Sequence, residues 1–356
     1  MRPAVALFAV VLGLLPSTGI AAPVLTPPDA GIDGLMQAYD GQVPGAAVLV
    51  LHDGQAVFRR GYGLAVVEDG TAVTPASNFR LASVSKQFTA AAVLLLVEDG
   101  RLGLDQPARQ WLPELPPAAA AITIRQLLSH TGGLLDYEDL MDPADTRQVH
   151  DADVLTLLSR QDRLKFAPGT QYHYSNSGYA LLALIVGRAS GLDFAAFLQQ
   201  RIFRPLGMAH TVAHQDGMDT IAARAYGYSW IDGRWQRTDQ SATSAVLGDG
   251  GIYSSLDDLA RWDAALYDDR LLSKASRRAM FSPATSTSEP DVPHYGFGWR
   301  LNGPVQWHSG ESIGFRNVVV RHPEKHLTVI VLTNRNAPEP YPLALKIAQR
   351  WLDTLQ

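Results

Sequence analysis

Residues 80–90 read Arg-Leu-Ala-Ser-Val-Ser-Lys-Gln-Phe-Thr-Ala and place a lysine, Lys86, three residues after a serine, Ser83. A run of alanine, valine and leucine follows over residues 90–97 and predicts a buried helix. Residues three apart on a helix lie on one face, so we expect the Ser83 hydroxyl and the Lys86 amine to meet where the helix begins. A capping serine beside a solvated lysine gives the same pattern and is the alternative.

The composition is that of a globular protein. Hydrophobic residues make up 46% of the 356 residues and charged residues 18%, which suits one large domain or two smaller ones. The net charge of -5 and the lack of a long basic run argue against a nucleic-acid partner. Cysteine is absent, which excludes disulfides, zinc-thiolate sites and a cysteine nucleophile. No cofactor and no metal ion are predicted.

The first 21 residues have the pattern of a cleaved signal peptide. A positively charged start at Arg2 precedes an apolar run over residues 4–15, and small residues follow at Gly19 and Ala21. The alternative, a buried helix, is weaker because the run has no amphipathic period. The run is too short to span a bilayer comfortably. We therefore expect an exported protein, periplasmic or secreted, without an integral membrane span after cleavage.

Short apolar runs near both ends of the chain predict strands. An Asp-Gly pair between residues 46–51 and 56–63 is typical of a hairpin. Four more short runs lie between residues 295 and 333, and residues 340–355 predict an amphipathic helix. The middle of the chain has mostly helical patterns.

The simplest assembly of these elements is an α+β fold. The terminal strands would pair in one antiparallel sheet, flanked by the first and last helices. The middle would form a helical lobe, and a cleft would lie where the Ser83 helix begins. The expected boundaries are 1–21 for the signal peptide, 22–356 for one domain, about 30–85 and 290–356 for its α/β lobe, and about 86–289 for its helical lobe.

Two further stretches carry polar groups suited to chemistry. Residues 172–176, Tyr-His-Tyr-Ser-Asn, precede a long apolar segment, and a tyrosine near a lysine can act as a base. The alternative is an aromatic turn in which Ser175 or Asn176 caps a helix. Residues 307–311, Trp-His-Ser-Gly-Glu, lie between two predicted strands, where backbone N–H groups can reach a substrate oxyanion. The alternative there is a tight strand connection.

These three stretches, in this order, resemble the three motifs of the beta-lactamase and penicillin-binding (DD-peptidase) superfamily. The resemblance is closest to the class C-like branch, which includes D-aminopeptidases, DD-carboxypeptidases and carboxylesterases with the beta-lactamase fold. It implies the same α+β fold and a serine hydrolase that acts through an acyl-enzyme. The matching motifs are Ser83-x-x-Lys86, Tyr174-x-Asn176 and His308-x-Gly310.

The resemblance also implies a role for each residue. Ser83 would be the acylated nucleophile, Lys86 its partner, and Tyr174 the general base that returns the proton to the leaving group. The oxyanion hole would use the backbone N–H groups of Ser83 and Glu311. The substrate-binding and oxyanion residues would be Asn176, His308, Gly310 and Glu311.

The third motif departs from the K-T-G of most penicillin-recognising members, because His308 stands in place of lysine. Lysine is a fixed cation for a substrate carboxylate, whereas histidine near its ordinary pKa is mostly neutral at pH 7. We therefore expect a small-molecule or peptide substrate that is an ester, an amide or a D-amino-acid peptide. A beta-lactam or a peptidoglycan stem peptide is the alternative. A catalytically idle binding protein of the same fold is a third possibility, and the oligomeric state is left open.

Two other patterns resemble known sites and are interpreted as coincidental. Residues 310–314 match a G-x-S-x-G nucleophile motif around Ser312, but a strand pattern follows in place of the required helix. Histidines 210 and 214, and histidines 322 and 326, have the spacing of metal ligands on a helix, yet neither pair lies in a convincing helical pattern. We expect these histidines in solvated loops.

Overall fold

The computed structural model describes residues 29–215 and 220–354, and the predicted signal peptide at residues 1–21 lies outside the described residues. The α-helices are α1 Asp29–Met36, α2 Lys86–Glu98, α3 Ile124–Leu128, α4 Asp151–Ser159, α5 Asn176–Ser190, α6 Phe194–Leu198, α7 Arg204–Leu206, α8 Leu256–Ala265, α9 Lys274–Phe281 and α10 Tyr341–Thr354. The strands are β1 Ala46–His52, β2 Gln55–Tyr62, β3 Leu64–Val66, β4 Thr71–Ala72, β5 Phe79–Arg80, β6 Val212–Ala213, β7 Tyr228–Ile231, β8 Arg234–Arg237, β9 Ile252–Ser254, β10 Thr285–Glu289, β11 Val292–Tyr295, β12 Arg300–Asn302, β13 Val305–Ser312, β14 Phe315–His322 and β15 Leu327–Thr333.

The main sheet has eight strands in the order β10-β11-β12-β13-β14-β15-β1-β2, and the pairs are antiparallel. Strand β1 lies beside β15, with Ala46 opposite Thr333. Strands from both ends of the chain therefore share one sheet, which confirms the predicted α+β architecture. The small hairpin of β7 and β8 forms a sheet of its own, as does the set β5-β9-β6.

Both faces of strand β1 are buried. Successive residues of a strand point to opposite faces. In β1, Val48 and Val50 pack in an apolar cluster with Ile32 of α1 and Trp351 of α10. Leu49 belongs to the larger cluster that contains α2 and the helical middle. This two-sided burial explains why β1 is apolar throughout rather than alternating.

Helix α2 is the central helix of the larger cluster, and every residue from Lys86 to Leu96 is buried. A 3-10 turn at Ala82–Ser85 precedes it and carries Ser83. The helix ends before Gly100, whose φ of 70° is the left-handed conformation expected after a helix C-terminus. The turn contacts β13 and β14, so Ser83 lies at the border between the sheet and the helical lobe, as predicted.

Two strands extend the sheet beyond the prediction. Strand β11 ends at Tyr295, where the first C-terminal strand was expected to begin, and the edge strand β10 falls in the range assigned to the helical lobe. The β10 sequence, Thr-Ser-Thr-Ser-Glu, has no apolar face by which a strand is recognised. As the outermost strand it has a neighbour on one side only, so polar residues are tolerated there.

In the described part of the chain, no single helix is long and apolar enough to cross a membrane. Helix α5 and residues 194–206 meet the length and composition limits only as a pair, across a bend of 75°. Most of α5 is buried inside the protein.

Candidate active site

Ser83 and Lys86 meet at the beginning of α2, as their spacing predicts. Lys86 Nζ lies 3.0 Å from Ser83 Oγ. The lysine has no exposed surface, whereas Ser83 is partly exposed and lines a cleft. The alternative of a solvated lysine is therefore wrong, because the amine is buried and directed at the hydroxyl.

Two further acceptors hold the Lys86 amine. Asn176 Oδ1 lies 2.8 Å from Nζ, and the backbone oxygen of Asp249 lies 2.9 Å from it. Asn176 Nδ2 donates to Glu138 Oε1 at 3.1 Å, which fixes the orientation of the amide. The amine therefore donates two hydrogen bonds, to Asn176 and to the Asp249 carbonyl, and its third substituent position faces Ser83.

The contact between Lys86 and Ser83 suits either protonation state of the amine. A charged ammonium donates its third hydrogen to Ser83 Oγ. A neutral amine accepts the hydroxyl hydrogen with its lone pair and keeps both other bonds. A proton can therefore pass between the two groups without a change of side-chain conformation, and activation of a serine requires such a transfer.

The backbone holds Ser83 close to the edge of β13. Ala82 has a φ of 49°, a left-handed conformation that costs a non-glycine residue about 1–2 kcal/mol. A Cβ at Gly310 of β13 would lie only 2.0 Å from the carbonyl oxygen of Leu81. The glycine of the third motif is therefore required by the close approach of the strand to the Ser83 turn.

Tyr174 lies beside Lys86, so the first two motifs come together. Nζ of Lys86 is 5.0 Å from the centroid of the Tyr174 ring. Tyr174 Oη is buried and has no hydrogen-bond partner in the described part of the chain. Ser175 occupies the N-cap position of α5, but its side chain makes no capping bond, so the capping alternative is not what holds this segment. A buried hydroxyl without a partner calls for a functional explanation.

Rings rather than hydrogen bonds surround Tyr174. The aromatic cluster, as we define it, consists of His130, Tyr172, Tyr174, Tyr295 and His308. His130 is the nearest ring, with its centroid 4.3 Å from that of Tyr174. Burial holds the pKa of His130 well below its ordinary value, so its ring is neutral.

His308 is fully buried, and its ring lies in this cluster rather than on the cleft surface. Nδ1 lies 2.6 Å from the Ser309 carbonyl oxygen and donates to it, so Nε2 accepts from Tyr295 Oη at 2.9 Å. Burial, and next the charge of Arg300, hold the pKa of His308 well below its ordinary value. This direction agrees with the expected neutral histidine. Its assignment to substrate binding is corrected, because a buried ring with both nitrogens bonded does not reach a substrate.

Arg300 is a cation that motif spacing did not reveal. Its guanidinium carbon lies 5.6 Å from the Tyr174 ring centroid and 4.9 Å from that of Trp307, within the range of cation–π attraction. Its Nε is buried without a hydrogen-bond partner in the described residues. Arg300 lies opposite Trp307 on the neighbouring strand, so only the strand register brings it to the third motif.

The cleft at Ser83 has an acidic side. Tyr137 and Glu138 line it. Glu138 is an exposed residue, but one carboxylate oxygen accepts from Asn176, and desolvation, followed by the charge of Asp136, raises its pKa. Sequence reasoning assigned no role to this carboxylate, because no motif spacing relates it to Asn176.

Asp249 and Glu311 also line the cleft. The Asp249 carboxyl is 2.9 Å from Tyr137 Oη, and burial raises its pKa to about 8, so it carries a proton at pH 7. Glu311 is mostly exposed and pairs with Arg316. The use of its backbone N–H and that of Ser83 as an oxyanion hole stays a prediction.

Among the described residues, the patterns interpreted as coincidental form neither a second nucleophile motif nor a metal site. Ser312 lines the cleft at the end of β13, and a hairpin to β14 follows it in place of a helix. Histidines 322 and 326 flank the turn between β14 and β15, and histidine 214 follows the short strand β6. Within residues 29–215 and 220–354, no group of three or more side chains of the metal-ligating types forms a candidate site.

Comparison with known proteins gives a consistent result. The family profile described as beta-lactamase matches residues 29–350. A penicillin-binding protein of Bacillus subtilis (strain 168) is 33% identical over 325 residues, which cover 86% of this chain and 71% of that protein. A D-aminopeptidase of Gluconobacter oxydans (strain 621H) is 30% identical over 316 residues. That match covers 86% of this chain and 58% of the D-aminopeptidase, so the chain spans less than two thirds of that relative.

A solved structure shares the whole fold. The D-amino acid amidase from Ochrobactrum anthropi, complexed with L-phenylalanine amide, superposes with a TM-score of 0.77 at 26% identity. The superposition covers 92% of this chain and 96% of the amidase chain.

Proposed function

The chain belongs to the beta-lactamase family of serine hydrolases, and from this premise we propose that it cleaves an ester, an amide or a D-amino-acid peptide through an acyl-enzyme at Ser83. The observation that carries the proposal is the environment of Lys86 Nζ, which is fully buried and bonded to Ser83 Oγ, Asn176 Oδ1 and the Asp249 carbonyl. A binding protein without catalysis has no need of this arrangement.

Each group has a place in the reaction. Ser83 Oγ bonds to the substrate carbonyl carbon, and its proton passes to the base formed by Lys86 and Tyr174. A proton returns to the leaving alcohol or amine as its bond to the carbonyl carbon breaks. Water then attacks the acyl carbon, the acid departs and Ser83 regains its proton. Backbone N–H groups of Ser83 and Glu311 stabilise the oxyanion in both steps.

The acidic side of the cleft favours a substrate that carries an amine. Glu138 presents a carboxylate beside Asn176, and no ion pair joins it to a cation in the described residues. An ammonium group on the substrate would supply that charge. The similar amidase was solved with L-phenylalanine amide, a compound with both an amine and an amide. We therefore propose an amino-acid amide, ester or peptide, of D configuration by analogy with these relatives.

Arg300 supports a second candidate function. Its guanidinium carbon lies 5.6 Å from the Tyr174 ring centroid, and a substrate carboxylate bound beside Tyr174 would match this cation. A carboxylate is present in peptidoglycan stem peptides and in penicillins. DD-carboxypeptidase or beta-lactamase activity is therefore the alternative.

A panel of three substrates at equal concentration tests the choice: p-nitrophenyl acetate, D-phenylalanine amide and a chromogenic cephalosporin. We expect hydrolysis of the first two and at least tenfold slower turnover of the cephalosporin, with no hydrolysis by Ser83→Ala. Glu138→Gln should raise KM for D-phenylalanine amide at least tenfold and leave p-nitrophenyl acetate hydrolysis unchanged. Fastest turnover of the cephalosporin would favour the alternative, and no turnover of any substrate would favour the idle binding protein.

We also propose that the protein is exported. The charged start, the apolar run and the small residues at Gly19 and Ala21 support this proposal. Expression of the full chain in a bacterial host, followed by cell fractionation and intact-mass measurement, is the test. A mature protein in the periplasm or medium that lacks about the first 21 residues is expected. An uncleaved protein in the cytoplasm would contradict the proposal.

A further inference from the structure

A second cavity, separate from the Ser83 cleft, has the size of a small-molecule site. Its volume is about 510 Å³, and ligand pockets usually measure about 300–1,000 Å³. Its apolar wall comes from α5, α6 and the segment before Asp249. The side chains that form this wall are Ala183, Leu184, Phe194 and Leu247.

Asp151, the first residue of α4, lines this cavity. The residue is 8% exposed, and its oxygens accept from the N–H groups of Leu247 and Gly248 at 3.0 Å each. No ion pair joins Asp151 to a cation in the described residues. Burial raises its pKa to about 6, so it is mostly ionised at pH 7.5. A buried carboxylate without a counter-ion is stabilised by any cation placed beside it.

The other charged groups around the cavity already have partners. Arg188 pairs with Glu114 at 2.7 Å, and His150 Nδ1 lies 3.4 Å from Asp153. The Asp193 carboxylate caps α6. The ring of His214, which also lines the cavity, packs against Tyr253 at a centroid distance of 5.8 Å.

We propose that this cavity binds a small cationic ligand with an apolar body, of the class of primary amines, with Asp151 as the counter-ion. The ammonium would lie beside the carboxylate, and the apolar body would pack on Leu184 and Phe194.

The same carboxylate is connected to the catalytic lysine. The Asp151 carboxylate accepts a hydrogen bond from the N–H of Gly248. The carbonyl oxygen of Gly248 accepts another from Thr89 Oγ1 at 2.7 Å. The next residue, Asp249, supplies the carbonyl that holds Lys86. A Cβ at Gly248 would lie 2.2 Å from a backbone oxygen of α5, so this segment has little room to move independently. A cation bound at Asp151 is therefore expected to alter turnover at Ser83. This effect on turnover rests on the proposed function, whereas the proposed binding at Asp151 does not.

Calorimetric titration at pH 7.5 with benzylamine and with uncharged benzyl alcohol is the binding test. We expect one saturable site that favours benzylamine at least tenfold. Asp151→Asn should abolish that preference, and Leu184→Trp, which places a larger ring in the cavity, should weaken binding of both compounds. Leu343→Trp on α10 is a control of equal size change and should bind like the wild type.

Because the Ser83 cleft is also acidic, Glu138→Gln is titrated in parallel. Benzylamine binding that is lost in Glu138→Gln, or kept in both Asp151→Asn and Leu184→Trp, would overturn the second site. For the connection to Lys86, benzylamine should change kcat for p-nitrophenyl acetate at least twofold at constant KM in the wild type and not in Asp151→Asn. An unchanged kcat at saturation would overturn the connection.

Discussion

The Ser83–Lys86 pair and the aromatic cluster that contains Tyr174 are neighbours, but hydrogen bonds hold the pair in place and ring packing holds the cluster. All three positions on Lys86 Nζ have a partner within 3.0 Å. Tyr174 Oη has no partner, and packed rings hold the side chain. Removal of the amine should therefore damage both structure and chemistry, whereas removal of the hydroxyl should affect chemistry alone.

Lys86→Met is expected to have the largest effect. The substitution removes the proton partner of Ser83 and leaves Asn176 Oδ1 and the Asp249 carbonyl without a donor, at a cost of about 1–3 kcal/mol for each buried group. We expect kcat/KM to fall about 10⁴-fold and Tm to decrease. The matched control is Lys346→Met, an exposed lysine of α10, which should change neither quantity. Retained activity in Lys86→Met would remove the central pair from the mechanism.

Tyr174→Phe tests the role of the Tyr174 hydroxyl in the aromatic cluster. The ring and its packing are kept, so the free energy of unfolding should stay within about 0.5 kcal/mol of the wild type. We expect kcat/KM to fall about 10³-fold, because only the proton-carrying oxygen is lost. Tyr172→Phe in the same cluster is the control and should retain activity within about threefold of the wild type. Equal losses in the two variants would show that Tyr174 acts through packing and not as a base.

Gly310→Ala tests whether the close approach of β13 to the Ser83 turn is needed to position Ser83. The added Cβ would lie 2.0 Å from the Leu81 oxygen, so the strand must move away from the Ser83 turn. A displacement of about 1 Å is expected to lower kcat about 10²-fold. In Gly250→Ala, also in the cleft, the nearest atom to the Cβ is 3.5 Å away at Ala82, and activity should be kept. Similar kinetics for both variants would contradict the packing argument.

Asp249→Asn removes the titratable carboxyl group beside the Ser83–Lys86 pair and keeps the shape of the side chain. It should have the smallest effect on activity. The pKa of Asp249 is raised to about 8, so the folded protein keeps a proton that the unfolded chain releases above about pH 4. The contribution of Asp249 to stability is therefore complete below pH 4 and is lost as the pH rises to 8. Relative to Asn, the wild type should lose roughly 4 kcal/mol of unfolding free energy between pH 5 and 8. Urea unfolding across this range measures the difference, and a difference that does not change with pH would contradict the raised pKa.

The sequence predicted the Ser83–Lys86 pair because the two residues are close together in the chain. Ser83 and Lys86 are three residues apart at a helix start, and helical geometry alone places them together. The strands β1 and β15 were recognised from local sequence as well, since each is a short run of mostly apolar residues. The polar edge strand β10 gave no such signal.

The positions that sequence reasoning missed depend on packing between distant segments. The Asp249 carbonyl reaches Lys86 from a loop 163 residues away. His308 lies in a recognisable motif, but its burial follows from Tyr295 and the rings around it, which no local pattern shows. Arg300 reaches Tyr174 only through the register of β12 on β13.

The central claim is that Ser83 is the nucleophile and that Lys86 activates it. Intact-mass and peptide mass spectrometry after reaction with a fluorophosphonate tests this claim most directly. We predict one adduct, located at Ser83, that is absent in Ser83→Ala and forms at least 10²-fold more slowly in Lys86→Met. An adduct on another residue, or labelling of Lys86→Met at the wild-type rate, would contradict it.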